Sequence, residues 1–108
     1  MGLELNDRVA IVTGAAQGIG EATARKLAER GAAVVGLDKQ AERLKGVMAG
    51  IPKGVAMPMD VTDALADQRA VQEIHQRFGR IDILVNVAGG ILGAPAGIDK
   101  ISIQDWHR

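Results

Sequence analysis

The sequence predicts an α/β fold in which parallel strands alternate with helices, and three observations carry that prediction. Four short, branched apolar runs recur along the chain, each closed by Gly14, Asp38, Asp60 or Asn86. The segments between them place apolar residues at helical spacing. Finally, 47% of the residues are hydrophobic but only 2% are aromatic, with one Trp, one Phe and no Tyr. Such a core is aliphatic, as in strands buried on both faces of a parallel sheet. A length of 108 residues suits a single domain, 1–108, with no room for a second.

Residues 8–13 (R-V-A-I-V-T) read as the first strand, ended by Gly14. Residues 18–30 read as a helix with Ile19, Thr23 and Leu27 on one face, Ala24 and Ala28 beside them, and Gly31 just past its end. Residues 33–37 form the second strand, and residues 39–48, with Ala41, Leu44 and Met48 in phase, the next helix. The Gly50-Ile51-Pro52-Lys53-Gly54 stretch breaks it. Residues 55–59 are a weaker third strand, because Pro58 limits pairing. Asp60-Val61-Thr62-Asp63 offers caps for a helix running to Phe78, with Val71, Ile74 and Phe78 on its buried face and Gly79 ending it. Residues 81–85 are the fourth strand and 91–101 a loop, and Ser102-Ile103-Gln104-Asp105 has a capping-box pattern that predicts a helix from there. Alternating strands and helices imply right-handed crossovers and the order 3-2-1-4. In that order the fourth strand, I-D-I-L-V, is an uncovered edge that invites association with another chain.

Thirteen basic and thirteen acidic residues balance to zero net charge and are scattered along the chain. That distribution argues against a nucleic-acid or anionic-membrane partner. The absence of cysteine excludes a disulfide framework and a thiolate metal site, and no metal ligand set is expected. His75, beside Ile74 on a helix, reads as an ordinary surface residue. The amino-terminal Met1-Gly2-Leu3-Glu4-Leu5-Asn6 has no basic segment and no long apolar run, so it does not read as a signal peptide, and a cytoplasmic location is expected.

The chemistry-bearing feature is Thr13-Gly14-Ala15-Ala16-Gln17-Gly18-Ile19-Gly20, set where the first strand turns into the first helix. Glycines there allow a tight turn and close backbone approach to a pyrophosphate, which meets the amides and positive dipole end of the helix. The candidate binding residues are Gly14, Gln17, Gly18, Ile19 and Gly20, and the expected architecture is a Rossmann-type doubly wound sheet. Asp38 ends the second strand 18 residues after Gly20, where a carboxylate accepts from the ribose hydroxyls of an adenosine. Its charge repels a 2′-phosphate and the glycine turn carries no Arg or Lys, so NAD is expected in preference to NADP, although Lys39 partly offsets that repulsion. Asp38 also reads as a helix cap. Asp60 and Val61 either contact adenine or cap the following helix. Asn86, Ala88 and Gly89 follow the fourth strand, where small residues let a cofactor lie against the strand end.

Together these motifs resemble the N-terminal cofactor-binding portion of the short-chain dehydrogenase/reductase family. Thr13 to Gly20 matches its T-G-x-x-x-G-x-G signature, and Asp60-Val61 is similar to its adenine-contacting pair. Asn86 to Gly89 is similar to its N-N-A-G motif with Val87 in place of the second Asn, and Trp106 stands where members often carry a Trp. The resemblance implies an NAD-dependent oxidoreductase acting on a small-molecule alcohol or ketone, assembled as a homo-oligomer, tetramer or dimer. It also implies a Tyr acid/base, a Lys four residues later, a Ser that orients substrate and an Asn in the fourth helix. None can be assigned: the chain has no Tyr, its one Ser is Ser102, and its two Asn residues are Asn6 and Asn86. The chain is therefore read as the cofactor-binding half, truncated after the fourth strand and inactive alone. The alternative is a non-catalytic dinucleotide-binding module.

Overall fold

The computed structural model describes residues 4–87 and 102–105. Its elements, in chain order, are β1 (Val9–Thr13), α1 (Gly18–Glu29), β2 (Ala33–Asp38), α2 (Ala41–Ala49), β3 (Gly54–Pro58), α3 (Ala64–Phe78), β4 (Ile83–Asn86) and β5 (Ser102–Asp105). They form one sheet in the order β3-β2-β1-β4-β5. The first four strands run parallel in the predicted order 3-2-1-4.

The branched runs become strands because both sheet faces are covered. All five residues of β1 are buried. Alternate side chains point to opposite faces of a strand, and the core divides accordingly. Ala10, Val12, Val34 and Val85 pack with Ala24 of α1 and Leu44, Val47 and Met48 of α2. Val9, Ile11, Val35 and Leu37 pack on the other face with Ile74 of α3, and Val71 and Phe78 lie partly buried against them. α1 faces the sheet through Gly20 and Ala24, backed by the partly buried Leu27 and Ala28. Ile19 does not share that face: it is 49% exposed, because the close seating of Gly20 turns it outward. Pro58 is the last residue of β3, an edge strand, so its missing donor breaks no ladder. The next amide, of Met59, resumes pairing with the Asp38 carbonyl at 3.0 Å.

The helix expected from Ser102 is instead the strand β5, antiparallel to β4 with Asn86 opposite Ser102 and Ile83 opposite Asp105. A capping pattern is a local preference of about 1 kcal/mol. The edge of β4 offers a row of backbone donors and acceptors that pairing satisfies together. The sheet therefore continues one strand past the expected end. β4 is not its uncovered edge, which removes the reason for expecting association through that strand.

At the amino-terminal end of the sheet a buried carboxylate joins β1 to the start of β4. Asp82, 4% exposed, accepts from the Val9 amide at 2.8 Å, while its own amide donates to the Val9 carbonyl at 2.9 Å. Arg80 donates to both carboxylate oxygens at 2.7–3.0 Å and Arg8 adds a contact at 3.4 Å. Burial alone raises the carboxyl pKa, but the Arg80 bonds, the Val9 amide and the nearby positive charge outweigh it and hold the pKa below its ordinary value of 3.8. A pKa lowered by folding contributes stability above the ordinary value and loses it as pH falls through the folded value. Asp82→Ala leaves the Val9 amide unpaired and should lower the unfolding free energy by about 1–3 kcal/mol at neutral pH, read by urea denaturation followed by circular dichroism. The difference from wild type should shrink below pH 3.8. An unchanged midpoint at neutral pH contradicts this role.

Candidate functional site

The turn between β1 and α1 hangs from the end of β2. Gly14 and Ala15 donate their amides to the Leu37 carbonyl at 2.8 and 3.4 Å, and Ala16 donates to the Asp38 carboxylate at 3.2 Å. Gly14 and Gly18 adopt φ of 70° and 60°, in the left-handed region that disfavours other residues. At Gly20 the constraint is space: an added Cβ would lie 1.9 Å from the Gly14 carbonyl oxygen. α1 thus begins hard against the carboxyl end of β1.

The first amides of a helix lack intrahelical acceptors. In α3 the Asp63 side chain caps them, accepting from Leu65 and Ala66 at 3.0 and 3.2 Å. In α1 the N-cap is Gln17, which makes no side-chain capping bond. Gln17, Gly18 and Ile19 are exposed, and among the described residues nothing lies within 4 Å of a Cβ placed on Gly18. The start of α1 therefore presents amides and positive dipole to solvent, as an anion requires.

Asp38 borders this opening and is 9% exposed. One of its oxygens accepts from Ala16; the other accepts from the Gln40 amide at 3.0 Å and the Gln40 side chain at 3.5 Å. It is not the cap of α2, whose N-cap is Gln40. A carboxylate has about four acceptor positions, two on each oxygen, so the oxygen that accepts from Ala16 retains capacity for a hydroxyl donor.

Asp60 is exposed and does not cap α3, a role that belongs to Asp63. It accepts from the Thr62 hydroxyl at 2.6 Å and the Thr62 amide at 2.9 Å. Those bonds, with the charge of Lys39, hold its carboxyl below the ordinary range.

Val61 lines a cavity of about 400 Å³ between the sheet and α3. Ile11, Thr13, Leu37, Leu84 and Asn86 form its sheet side, and Asp67, Gln68, Val71 and Gln72 its helix side. The Thr13 hydroxyl donates to the Asn86 side-chain oxygen at 2.8 Å, joining paired ends of β1 and β4. Asp67 has its carboxyl pKa raised by burial and then by the charges of Asp63 and Asp60.

Gly14, Gln17, Gly18, Ile19, Gly20, Asp38, Asp60, Val61 and Asn86 thus gather at the carboxyl edge of the parallel strands. Ala88 and Gly89 lie outside the described residues. The sequence reading did not single out Asp67 or Gln72 on the cavity, or Arg43, which donates to the Ala16 carbonyl at 3.1 Å.

Comparison with known proteins yields a consistent picture. The family model described as short chain dehydrogenase matches residues 8–108. The chain is 38% identical to meso-2,3-butanediol dehydrogenase from Serratia marcescens over 98% of its own length and 42% of that enzyme's. Among solved structures it resembles a 3-ketoacyl-(acyl-carrier-protein) reductase from Brucella melitensis complexed with NADH, with a TM-score of 0.71 and 33% identity, over 75% of this chain and 34% of that one. It also resembles a metagenomic short-chain oxidoreductase in complex with NADP, with a TM-score of 0.71 and 34% identity, over 74% of this chain and 38% of that one. The chain spans about two fifths of the length of the curated relatives it matches.

Two glycines test the seating of α1. Gly20→Ala forces a methyl group against the Gly14 carbonyl and should destabilise the fold by about 1–3 kcal/mol, seen as a lower melting temperature. An added Cβ at Gly46 in α2 meets nothing within 4 Å. Gly46→Ala should therefore hold or raise the melting temperature, by up to about 1 kcal/mol of helix propensity. Equal effects of the two substitutions would contradict the tight seating.

Proposed function

The chain belongs to the short chain dehydrogenase family, and from that premise we propose that it holds a nicotinamide dinucleotide, NAD in preference to NADP, for the interconversion of an alcohol and a carbonyl. The observation that carries this reading is the uncapped first turn of α1 lying beside the buried carboxylate of Asp38. The pyrophosphate is bound by the amides around Gly18, Ile19 and Gly20. Asp38 accepts from the adenosine ribose hydroxyls, and its charge opposes a 2′-phosphate at the same place. Val61 and the exposed Asp60 flank the adenine, and Asn86, tied to Thr13, stands at the end of β4 toward the nicotinamide half. When bound, the nicotinamide supplies the hydride chemistry.

The protein's part within these residues is to bind and orient. No Tyr occurs among the 108 residues, and the proposal assigns no acid/base group to them. For this stretch alone, that same observation favours the second reading, a dinucleotide-binding module without catalysis. The proposal further holds that the protein is cytoplasmic and works as a homo-oligomer on a small-molecule substrate. Its balanced charge supports the absence of a nucleic-acid partner, and no helix among the described residues is long and apolar enough to cross a membrane.

Isothermal titration with NAD and NADP tests the cofactor assignment. NAD should bind at least about tenfold more tightly, the effect of a charged hydrogen bond worth about 1.5–3 kcal/mol. Asp38→Ser should narrow the ratio. Tighter binding of NADP by the wild-type chain would overturn the preference, and binding of neither would overturn the function.

A further inference from the structure

Arg43 belongs to none of the motifs that mark the dinucleotide site. It lies in the first turn of α2, exposed, five residues after Asp38. A guanidinium there would ordinarily be a solvated surface charge. Here its Nε donates to the Ala16 carbonyl at 3.1 Å, across 27 residues of chain. The Ala16 amide donates to the Asp38 carboxylate at 3.2 Å. One residue of the glycine turn is therefore held at both of its backbone groups by two side chains from the same β2–α2 junction. The Ala16 side chain is itself 0% exposed within the aliphatic core, so the residue cannot turn to relieve either bond.

The two bonds fix consecutive peptide planes. A peptide unit is planar and trans, so its carbonyl and amide point to opposite sides. By holding the Ala16 carbonyl, Arg43 fixes the plane shared with Gln17 and turns the Gln17 amide to the side away from the guanidinium. Asp38 does the same for the plane between Ala15 and Ala16. Gln17 is the N-cap of α1, and the open amides follow it directly.

We infer that Arg43 is a positioning residue for the pyrophosphate subsite: it acts through the Ala16 carbonyl to orient the amides at the start of α1, without touching the dinucleotide. This rests on the reading of that helix start as a dinucleotide site. It predicts a selective defect. Adenosine, which does not reach the glycine turn with a phosphate, is indifferent to Arg43, whereas compounds carrying a pyrophosphate are not.

The experiment compares the wild-type chain with Arg43→Met, which keeps an apolar stem and removes the donors, and Arg43→Lys, which keeps one donor. Dissociation constants for NAD and ADP-ribose are measured by calorimetry, and that for adenosine by chemical-shift titration. Arg43→Met should weaken NAD and ADP-ribose by about tenfold, leave adenosine within twofold and leave the melting temperature unchanged; Arg43→Lys should recover most of the loss. Wild-type NAD affinity in Arg43→Met would overturn the inference, as would equal losses for all three compounds or a fall in melting temperature that tracks the affinities. A wild-type chain that binds none of the three compounds overturns the site itself and this inference with it.

Discussion

Between Gly20 and the Gly14 carbonyl there is no room for a methyl group, and much of the amino-terminal half follows from that closeness. It brings the first turn of α1 onto the end of β1, so the helix points its unpaired amides out over the carboxyl edge of the sheet. The same economy of volume recurs one strand away. A Cβ at Gly36 in β2 would lie 2.7 Å from the Met48 sulfur and 3.1 Å from the Ala15 side chain. Small residues thus let α1, α2 and the glycine turn close on one face of the sheet, with Ala15, Ala16 and Ala24 fully buried between them. Close packing of this kind leaves little freedom to relax, so enlarging any of these positions moves the turn as well as the helix.

The two ends of the sheet are treated in opposite ways. At the amino-terminal end, Asp82 satisfies the Val9 amide and is itself matched by Arg80 and Arg8. The carboxyl end leaves polar groups available. The α1 amides have no side-chain cap, Asp38 keeps acceptor capacity, and the cavity beside Val61 opens between sheet and α3. Ligands of open α/β sheets bind at the carboxyl ends of the strands.

What could be read from the sequence was what the backbone itself demands. Strands that alternate with helices must be joined by right-handed crossovers, so the order 3-2-1-4 was legible. The glycine positions were legible because left-handed φ at Gly14 and Gly18 and the contact at Gly20 exclude other residues. The fate of Ser102–Asp105 was not, because the same four residues carry a local helix-capping pattern and the open edge of β4 decides against it. β4 begins at Ile83 rather than residue 81: the Asp82 amide still donates to the Val9 carbonyl, but the Val9 amide is taken by the Asp82 side chain instead of a backbone carbonyl. Asp60 and Asp63 could not be separated as caps by composition; only the bonds to Leu65 and Ala66 do so. Arg43 and the Thr13–Asn86 pair were invisible for a different reason: their partners are 27 and 73 residues away.

The electrostatics of the carboxyl edge bear on the cofactor. Lys39 follows Asp38 directly and could neutralise it, which would weaken the case against a 2′-phosphate. Its charge also reaches Asp60, whose carboxyl is held low first by the Thr62 hydrogen bonds and then by Lys39. The nearby guanidinium of Arg43 uses its Nε on the Ala16 carbonyl. Further along the edge, Asp67 has its carboxyl raised first by burial and then by the charges of Asp63 and Asp60. Two cations set among the four carboxylates of Asp38, Asp60, Asp63 and Asp67 leave an excess of negative charge, which opposes a second phosphate. The proposed preference for NAD therefore draws on the whole acidic edge and not on Asp38 alone.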